Sequence, residues 1–105
     1  CSEVTVSNER RFSLLLRDEE DVEYFANGSI DRLVLSYAEG EVVSAEVIDF
    51  KTDGVREEGV EARALHHAPQ MESYRRAVST MYSLKPELIK LRLAFTGPGV
   101  VYDLP

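Results

Sequence analysis

The feature that most constrains the fold is the stretch at residues 46–53, in which an Asp and a Lys interrupt the apolar run Val47, Ile48 and Phe50. Its apolar positions are typical of a β-strand. Because alternate residues of a strand point to the same face, Asp49 and Lys51 leave the sheet together, opposite to Ile48 and Phe50. Removing a carboxylate and an ammonium from water costs free energy. The pair therefore indicates either a functional site or a strand end where an ion pair meets water.

The length of 105 residues predicts a single domain, residues 1–105. Hydrophobic residues make up 44% and charged residues 30% of the chain, as in ordinary globular proteins. No secretory signal and no apolar run of about 20 residues is visible, so we expect a cytoplasmic protein with no membrane partner. The single cysteine, Cys1, excludes an internal disulfide, a cysteine-based zinc site and a four-cysteine iron–sulfur cluster within this sequence. Because the sequence starts without Met, in a strand-like pattern, we expect a C-terminal piece of a longer chain.

The formal net charge of −7 argues at first against a nucleic-acid partner. The charges are unevenly distributed, however. Residues 1–61 contain 16 acidic and 6 basic residues, whereas residues 62–105 contain 3 acidic and 6 basic residues. The first part could hold cations and the second could meet phosphates, although two differently solvated surfaces explain the asymmetry equally well.

The N-terminal third shows short extended segments separated by turn signals. Alternating residues predict strands at 3–6 and 12–17, with a turn at residues 8–9. The four acids at 18–21 lack the glycine or asparagine spacing of a cation-binding loop, so we interpret them as a solvated loop. Asn27-Gly28 permits a kink at positive φ.

The next two strands, at 29–37 and 42–52, are joined by turn residues and predict an antiparallel hairpin. Asp31 is a second isolated carboxylate within an apolar strand. A hairpin of this kind can bring Asp31 next to Asp49 on one face of the sheet.

Residues 55–63 are polar and indicate an exposed connection. A helix is predicted from 66 to 84, with Pro69 tolerated in its first turn. Strands at 88–95 and 100–102 follow. The apolar face of the helix is predicted to contain Met71, Tyr74, Val78, Met81 and Tyr82.

Two carboxylates brought together repel each other unless a proton or a cation lies between them. Oxygen ligands suit Mg²⁺ or Mn²⁺, and such a metal can polarise a phosphoryl oxygen and activate water. Lys51 could hold the attacking water or stabilise negative charge on phosphorus oxygens. Four polar residues of the helix are candidates to position a nucleic-acid backbone: Gln70, Tyr74, Arg75 and Arg76.

Three motifs in this order resemble the PD-(D/E)XK nuclease superfamily, most closely the RecB/AddA-like nuclease domain of bacterial helicase–nucleases. They are Gly-Ser-Ile-Asp at 28–31, Asp-Phe-Lys-Thr-Asp at 49–53 and Gln-Met-Glu-Ser-Tyr at 70–74. The resemblance covers about residues 10–105. The Asp-x-Lys spacing alone is weak, but three motifs in order are fairly specific.

The resemblance implies a role for each matched residue. Asp31 and Asp49 would be metal ligands, with the backbone carbonyl of Phe50 as a third. Lys51 would be the catalytic lysine, and the helix segment 70–74 would lie against the site and help to engage DNA.

The resemblance also implies an α/β fold, a restriction-endonuclease-like core with a central mixed sheet and one main helix. The implied function is a Mg²⁺- or Mn²⁺-dependent DNA exonuclease in recombination and repair. Its partners would be DNA, the helicase portion of the same parent chain, and a second subunit.

One departure from the family pattern bears on function. The resemblance implies a helix before the first strand, with a His or Glu that adds a metal ligand, and we expect this helix to lie upstream of the given sequence. His66 and His67 do not match that ligand. Two alternatives therefore stay open: a non-catalytic nuclease-fold module that binds DNA or protein, and a small acidic interaction domain whose likeness is coincidental. The last alternative predicts that Asp31 and Asp49 do not meet.

Overall fold

One mixed sheet with a helix across it is the framework of the protein. The computed structural model describes residues 2–52, 59–97 and 99–105. Within these ranges the strands are β1 (Ser2–Arg17), β2 (Glu23–Ala38), β3 (Glu41–Lys51), β4 (Ile89–Phe95) and β5 (Val100–Leu104), with helix α1 at Val60–Tyr82 and a short 3₁₀ turn at Pro86–Leu88.

The strands lie in the sheet in chain order. β1, β2 and β3 form an antiparallel meander, and the segment that contains α1 returns the chain so that β4 runs parallel to β3. β5 then pairs antiparallel with β4. A parallel pair needs such a crossover connection. The predicted α/β class with a mixed sheet and one main helix is confirmed.

The core lies between α1 and one face of the sheet. Alternate residues of β3 and β4 are buried beneath the helix, whereas their neighbours point to the opposite face, which α1 does not cover. Burial of apolar area at about 25 cal/mol per Å² makes this layer the main source of stability. The fully buried side chains include Ile30, Leu33, Val47, Met71, Val78, Leu91, Leu93 and Phe95.

The hairpin of β2 and β3 is the element that the sequence predicted best. Its turn has Glu39 at φ 52° and Gly40 at φ 81°. Two consecutive residues with positive φ match the right-handed twist of hairpin strands. Pairing of β2 with β3 extends only to Arg32 opposite Ile48, while β1 and β2 remain paired beyond that point.

Three details of the N-terminal region differ from the prediction. The segments at 3–6 and 12–17 are parts of one strand, because β2 continues opposite β1 in a single register from end to end. The predicted turn at residues 8–9 is only a local irregularity, with Glu9 at φ 53°. Gly28 does not make a kink at positive φ; it lies within β2, opposite Phe12.

The helix begins earlier than predicted. It starts at Val60, so residues 60–63 belong to α1 and not to an exposed connection. Val60 and Ala64, one turn apart, are both buried, which explains why the first turns form. Pro69 therefore lies in the interior of the helix and not in its first turn. Because proline has no N–H, one backbone hydrogen bond of the helix is missing there. Residues 53–58, which include Asp53 and most of the predicted connection, lie outside the described residues, as does Pro98.

The acidic loop between β1 and β2 has the solvated structure that was predicted. One carboxylate oxygen of Asp18 accepts hydrogen bonds from the backbone N–H groups of Glu20 and Val22, at 2.9 and 3.0 Å. All residues from 18 to 22 are exposed. Among the described residues, no helix is long and apolar enough to cross a membrane.

Candidate active site

Asp31 lies where β2 separates from β3. The last paired residues of the two strands are Arg32 and Ile48, one position before the separation. Beyond it, the backbone N–H of Phe50 donates a hydrogen bond to Asp31 Oδ2 at 2.9 Å. The carboxylate thus replaces a backbone acceptor, and this bond fixes Asp31 at the fork between the two strands.

Asp49 lies on the buried side of the same fork. Its relative exposure is 5%, and it is the buried charged residue of the described core. Lys51, two residues along β3, places Nζ 2.6 Å from Asp49 Oδ2. Asp49 and Lys51 therefore leave the strand on one side, as alternation predicted. The Lys51 ammonium is therefore the ion-pair partner of the buried oxygen Asp49 Oδ2.

The electrostatics of Asp49 reflect both its burial and its neighbours. Burial raises the pKa of Asp49 above its ordinary value of 3.8, and contact with Asp31 raises it further, while Lys51 acts in the opposite direction. The hydrogen bond from the Phe50 N–H to Asp31 places the two carboxylates near each other, because Phe50 directly follows Asp49. A proton or a cation between them relieves their repulsion.

Helix α1 covers the fork with two residues that are four positions apart. Lys51 Nζ donates a hydrogen bond to Gln70 Oε1 at 3.4 Å, which holds the ammonium from the helix side. The ring of Tyr74 is buried and packs edge-to-face on Phe12, with centroids 5.9 Å apart. Burial raises the pKa of the Tyr74 hydroxyl, and the charges of Asp49 and Asp31 raise it further. Tyr74 therefore lies within electrostatic range of both carboxylates.

Comparison with known families agrees with this geometry. The family model of the PD-(D/E)XK nuclease superfamily matches residues 4–103. The chain belongs to the PD-(D/E)XK nuclease superfamily. Nucleases of this superfamily typically use divalent metal ions. A search of curated proteins found no significant match.

Membership of the PD-(D/E)XK superfamily excludes the interpretation that the nuclease likeness is coincidental. That interpretation also required Asp31 and Asp49 to lie apart, whereas the structure brings them together. The donor set is incomplete as a metal centre in the described residues, because no group of three or more His, Cys, Asp or Glu side chains converges there. Among the described residues, the fork therefore offers two neighbouring carboxylates beside one lysine.

The remaining predicted site residues divide into those near the fork and those away from it. Phe50 takes part through its N–H, and its carbonyl as a metal ligand stays a prediction. The Phe50 ring points to the uncovered face, 5.1 Å from the Arg32 guanidinium. His66 and His67 lie within α1 with their rings in edge-to-face contact.

Arg75 is not brought to the carboxylates. It donates hydrogen bonds to the carbonyls of Ile89 and Pro105, at 3.2 and 3.1 Å, and contacts Glu72. Ile89 begins β4, six residues before Phe95, which pairs with Lys51. At about 3.3 Å per residue this is about 20 Å from the end where the fork lies. The geometry therefore gives a structural role to Arg75 and no support to a DNA contact at the site.

Arg76 also lies away from the fork. Its guanidinium is 3.8 Å from Glu19, and a hydrogen bond with Tyr24 is the main cause that raises its pKa. Both partners belong to the far end of the β1–β2 pair. A DNA contact by Arg76 stays a prediction, but not one at the carboxylates.

The sequence reasoning missed Thr96. Its backbone N–H and its hydroxyl both donate to the Lys51 carbonyl, at 2.9 and 3.2 Å. These bonds continue the pairing of β3 with β4 beyond Lys51 and Phe95. They fix the backbone that carries the ammonium. The only sequence signal was a hydroxyl residue directly after a strand parallel to β3.

Proposed function

We propose that this chain is a Mg²⁺- or Mn²⁺-dependent deoxyribonuclease domain that hydrolyses phosphodiester bonds in DNA. The observation that carries the proposal is the fork, where Asp31 from β2 and Asp49 from β3 meet beside Lys51. Two acidic groups and one basic group are a suitable set for hydrolysis of an anionic diester. Membership of the PD-(D/E)XK superfamily supports the same chemistry.

The residues at the fork fit a divalent metal. Carboxylate oxygens are ligands that Mg²⁺ and Mn²⁺ prefer. Asp49 is a buried carboxylate with Asp31 as its acidic neighbour, and a cation between the two would relieve their repulsion. Asp31 and Asp49 would hold the ion. When bound, it would neutralise phosphate charge and make water more acidic.

The residues of this chain have distinct tasks in hydrolysis. A water oxygen forms a new bond to phosphorus while the bond to the leaving oxygen breaks, and negative charge accumulates on the phosphoryl oxygens. Lys51 places a positive charge where it can orient that water or bind those oxygens. Gln70 and Thr96 hold Lys51 from its two ends, the ammonium and the backbone carbonyl.

We extend the proposal to the biological context that the three motifs favour. The domain would act as an exonuclease in DNA recombination and repair, next to the helicase portion of a RecB/AddA-like parent chain and a second subunit. What supports this context is the order and spacing of the motifs at 28–31, 49–53 and 70–74.

The test of the proposal is cleavage of end-labelled DNA in Mg²⁺ or Mn²⁺. Asp49→Asn and Lys51→Gln are expected to lower the rate about 100-fold or more, the usual effect of losing a group that stabilises charge in the transition state. Asp103→Asn and Lys90→Gln are matched controls, since these are exposed residues of β5 and β4. Rates unchanged in both site variants would refute the assignment.

The exonuclease context needs a second measurement in the parent protein. The same two site substitutions should abolish cutting and leave the ATPase rate intact. A linear single strand should be degraded and a circular one resist. Cutting of circles at the linear rate would contradict the exonuclease proposal while leaving the nuclease site in place.

A further inference from the structure

The strands β1 and β2 continue past the fork as a two-stranded ribbon, residues 10–17 paired with residues 23–30. One face of this ribbon packs towards α1 through Phe12 and Gly28, which approach Tyr74. Alternation along the strands places eight residues on the opposite face, and all eight are exposed. This ribbon face consists of Arg11, Ser13, Leu15, Arg17, Glu23, Phe25, Asn27 and Ser29.

An apolar pair lies at the centre of the ribbon face. Phe25 and Leu15 are directly opposite each other in the register, and their relative exposures are 71% and 57%. An exposed aromatic ring held on a paired strand has little freedom to fold inwards. It offers a flat apolar surface to a planar group from outside the molecule.

The other residues of the ribbon face are polar or charged. Arg11 lies opposite Ser29, and Ser13 lies opposite Asn27. The one acidic residue among these eight, Glu23, lies opposite Arg17 and forms an ion pair with it at 2.8 Å. Among the described residues Arg11 has no acidic partner, whereas Arg17 on the same strand is paired with Asp21 and Glu23. The ribbon face is therefore suited to phosphate at one end and to a planar base in the middle.

Along β2, the ribbon face ends beside Asp31 at the fork, whereas Asp49 and Lys51 lie on the side of the sheet that α1 covers. Ser29 is two residues from Asp31, or about 7 Å along the strand, and Phe25 is about 20 Å away. We propose that the ribbon face binds the unpaired DNA strand that enters the site, with Arg11 on a phosphate and Phe25 stacked on a base. This inference rests on the proposed nuclease function and adds a preference for single-stranded substrate.

The preference follows from the chemistry of the two forms of DNA. In a duplex the flat faces of the bases are stacked on one another and only the helix ends expose them. An unpaired strand can turn a base onto an aromatic side chain, with a gain that depends little on sequence. Arg11 alone would attract both forms, so Phe25 is the residue that distinguishes them.

The experiment measures DNA binding by the whole chain without cutting. Fluorescence anisotropy of a labelled oligothymidylate, in buffer with chelator, gives the affinity for Phe25→Ala, Phe25→Trp and Arg11→Ala. Val101→Ala and Lys85→Ala serve as matched controls, because both residues are exposed and lie outside the ribbon. Circular dichroism checks that each variant is folded.

The expected results separate the two residues. Phe25→Ala weakens single-strand binding about 5- to 100-fold, and Phe25→Trp restores it. A blunt duplex of equal length shows no such dependence on Phe25. Arg11→Ala weakens the binding of both the single strand and the duplex. It also reduces by about 0.7 the slope of the logarithm of the single-strand binding constant against the logarithm of the salt concentration.

Other outcomes would overturn the inference. If Phe25→Ala and Val101→Ala have the same affinity for single-stranded DNA, the Phe25 ring does not stack on bases. The apolar pair Leu15 and Phe25 would then be a surface for another protein. If Phe25→Ala loses affinity for duplex and single-stranded DNA equally, Phe25 does not give a preference for single-stranded substrate. If the metal-dependent cutting assay fails but single-strand binding still depends on Phe25, the nuclease proposal falls and the ribbon site stands as a DNA-binding surface.

Discussion

Gly28 provides a quantitative test of how the ribbon is held against α1. A Cβ added at this position would lie 3.1 Å from Phe12 Cζ and 3.4 Å from Tyr74 Cε1. Both rings are buried, so neither can move far. Crowding of this kind costs about 1–3 kcal/mol. The backbone of Gly28 does not have positive φ, so alanine can adopt it and gains about 0.4–1 kcal/mol by restricting the unfolded chain.

The balance of these two effects predicts that Gly28→Ala lowers the free energy of unfolding by about 1 kcal/mol. For a domain of this size the change corresponds to a fall in Tm of about 4–8 °C. Thermal unfolding followed by circular dichroism measures it, with Ser29→Ala as the exposed control, expected within about 0.5 kcal/mol of wild type. A smaller side chain at position 12 should relieve the crowding, so Phe12→Leu and Gly28→Ala should couple by about 0.5 kcal/mol or more. A stabilised Gly28→Ala variant with no coupling would refute the reasoning.

Three further predictions concern two residues of the site, Asp49 and Tyr74, and Arg75, which lies away from it. Because burial raises the pKa of Asp49, its charged form destabilises the folded state. Asp49→Asn should therefore have a larger free energy of unfolding in urea than wild type at pH 7. This difference should disappear as the pH falls to about 3.8, where Asp49 is protonated in the folded protein. Equal stability of the two at pH 7 would contradict this sign. Arg75→Ala should lose about 1.5–3 kcal/mol in the same assay, because hydrogen bonds to two carbonyls disappear, while the cutting rate per folded molecule stays unchanged. If the Arg75→Ala protein is folded but does not cut DNA, Arg75 has a role in the active site. Tyr74→Phe keeps the packed ring, so Tm should change by only a few degrees, whereas the DNA affinity or the cutting rate should fall. If the DNA affinity and the cutting rate are both unchanged, Tyr74 has a role in the core alone.

The sequence predicted the hairpin and the helix face for physical reasons that are local. Alternating residues and the pair Glu39-Gly40 define the β2–β3 turn. The helical spacing of Met71, Tyr74 and Val78 defines the buried side of α1. In each case neighbouring residues along one element contain the whole signal.

Features that depend on contacts between elements could not be predicted in this way. The continuity of β1 across Glu9 depends on the register of β2 opposite it. The use of Asp31 as an acceptor for the Phe50 N–H depends on the point where two strands separate. Arg75 lies next to a motif residue in the sequence, yet its partners come from β4 and the end of the chain. The early start of α1 was different, since Val60 and Ala64 carried a helical signal that Pro69 obscured.

The most direct test of the account is calorimetric binding of Mn²⁺ to this chain and to its Asp31→Ala and Asp49→Ala variants. Asp103→Ala serves as the control, because that exposed carboxylate is paired with Arg92 away from the fork. The account predicts that the chain and the control bind the ion, and that each of the two site variants loses binding. Binding that survives in both site variants, or that the chain itself lacks, would contradict a metal held between Asp31 and Asp49.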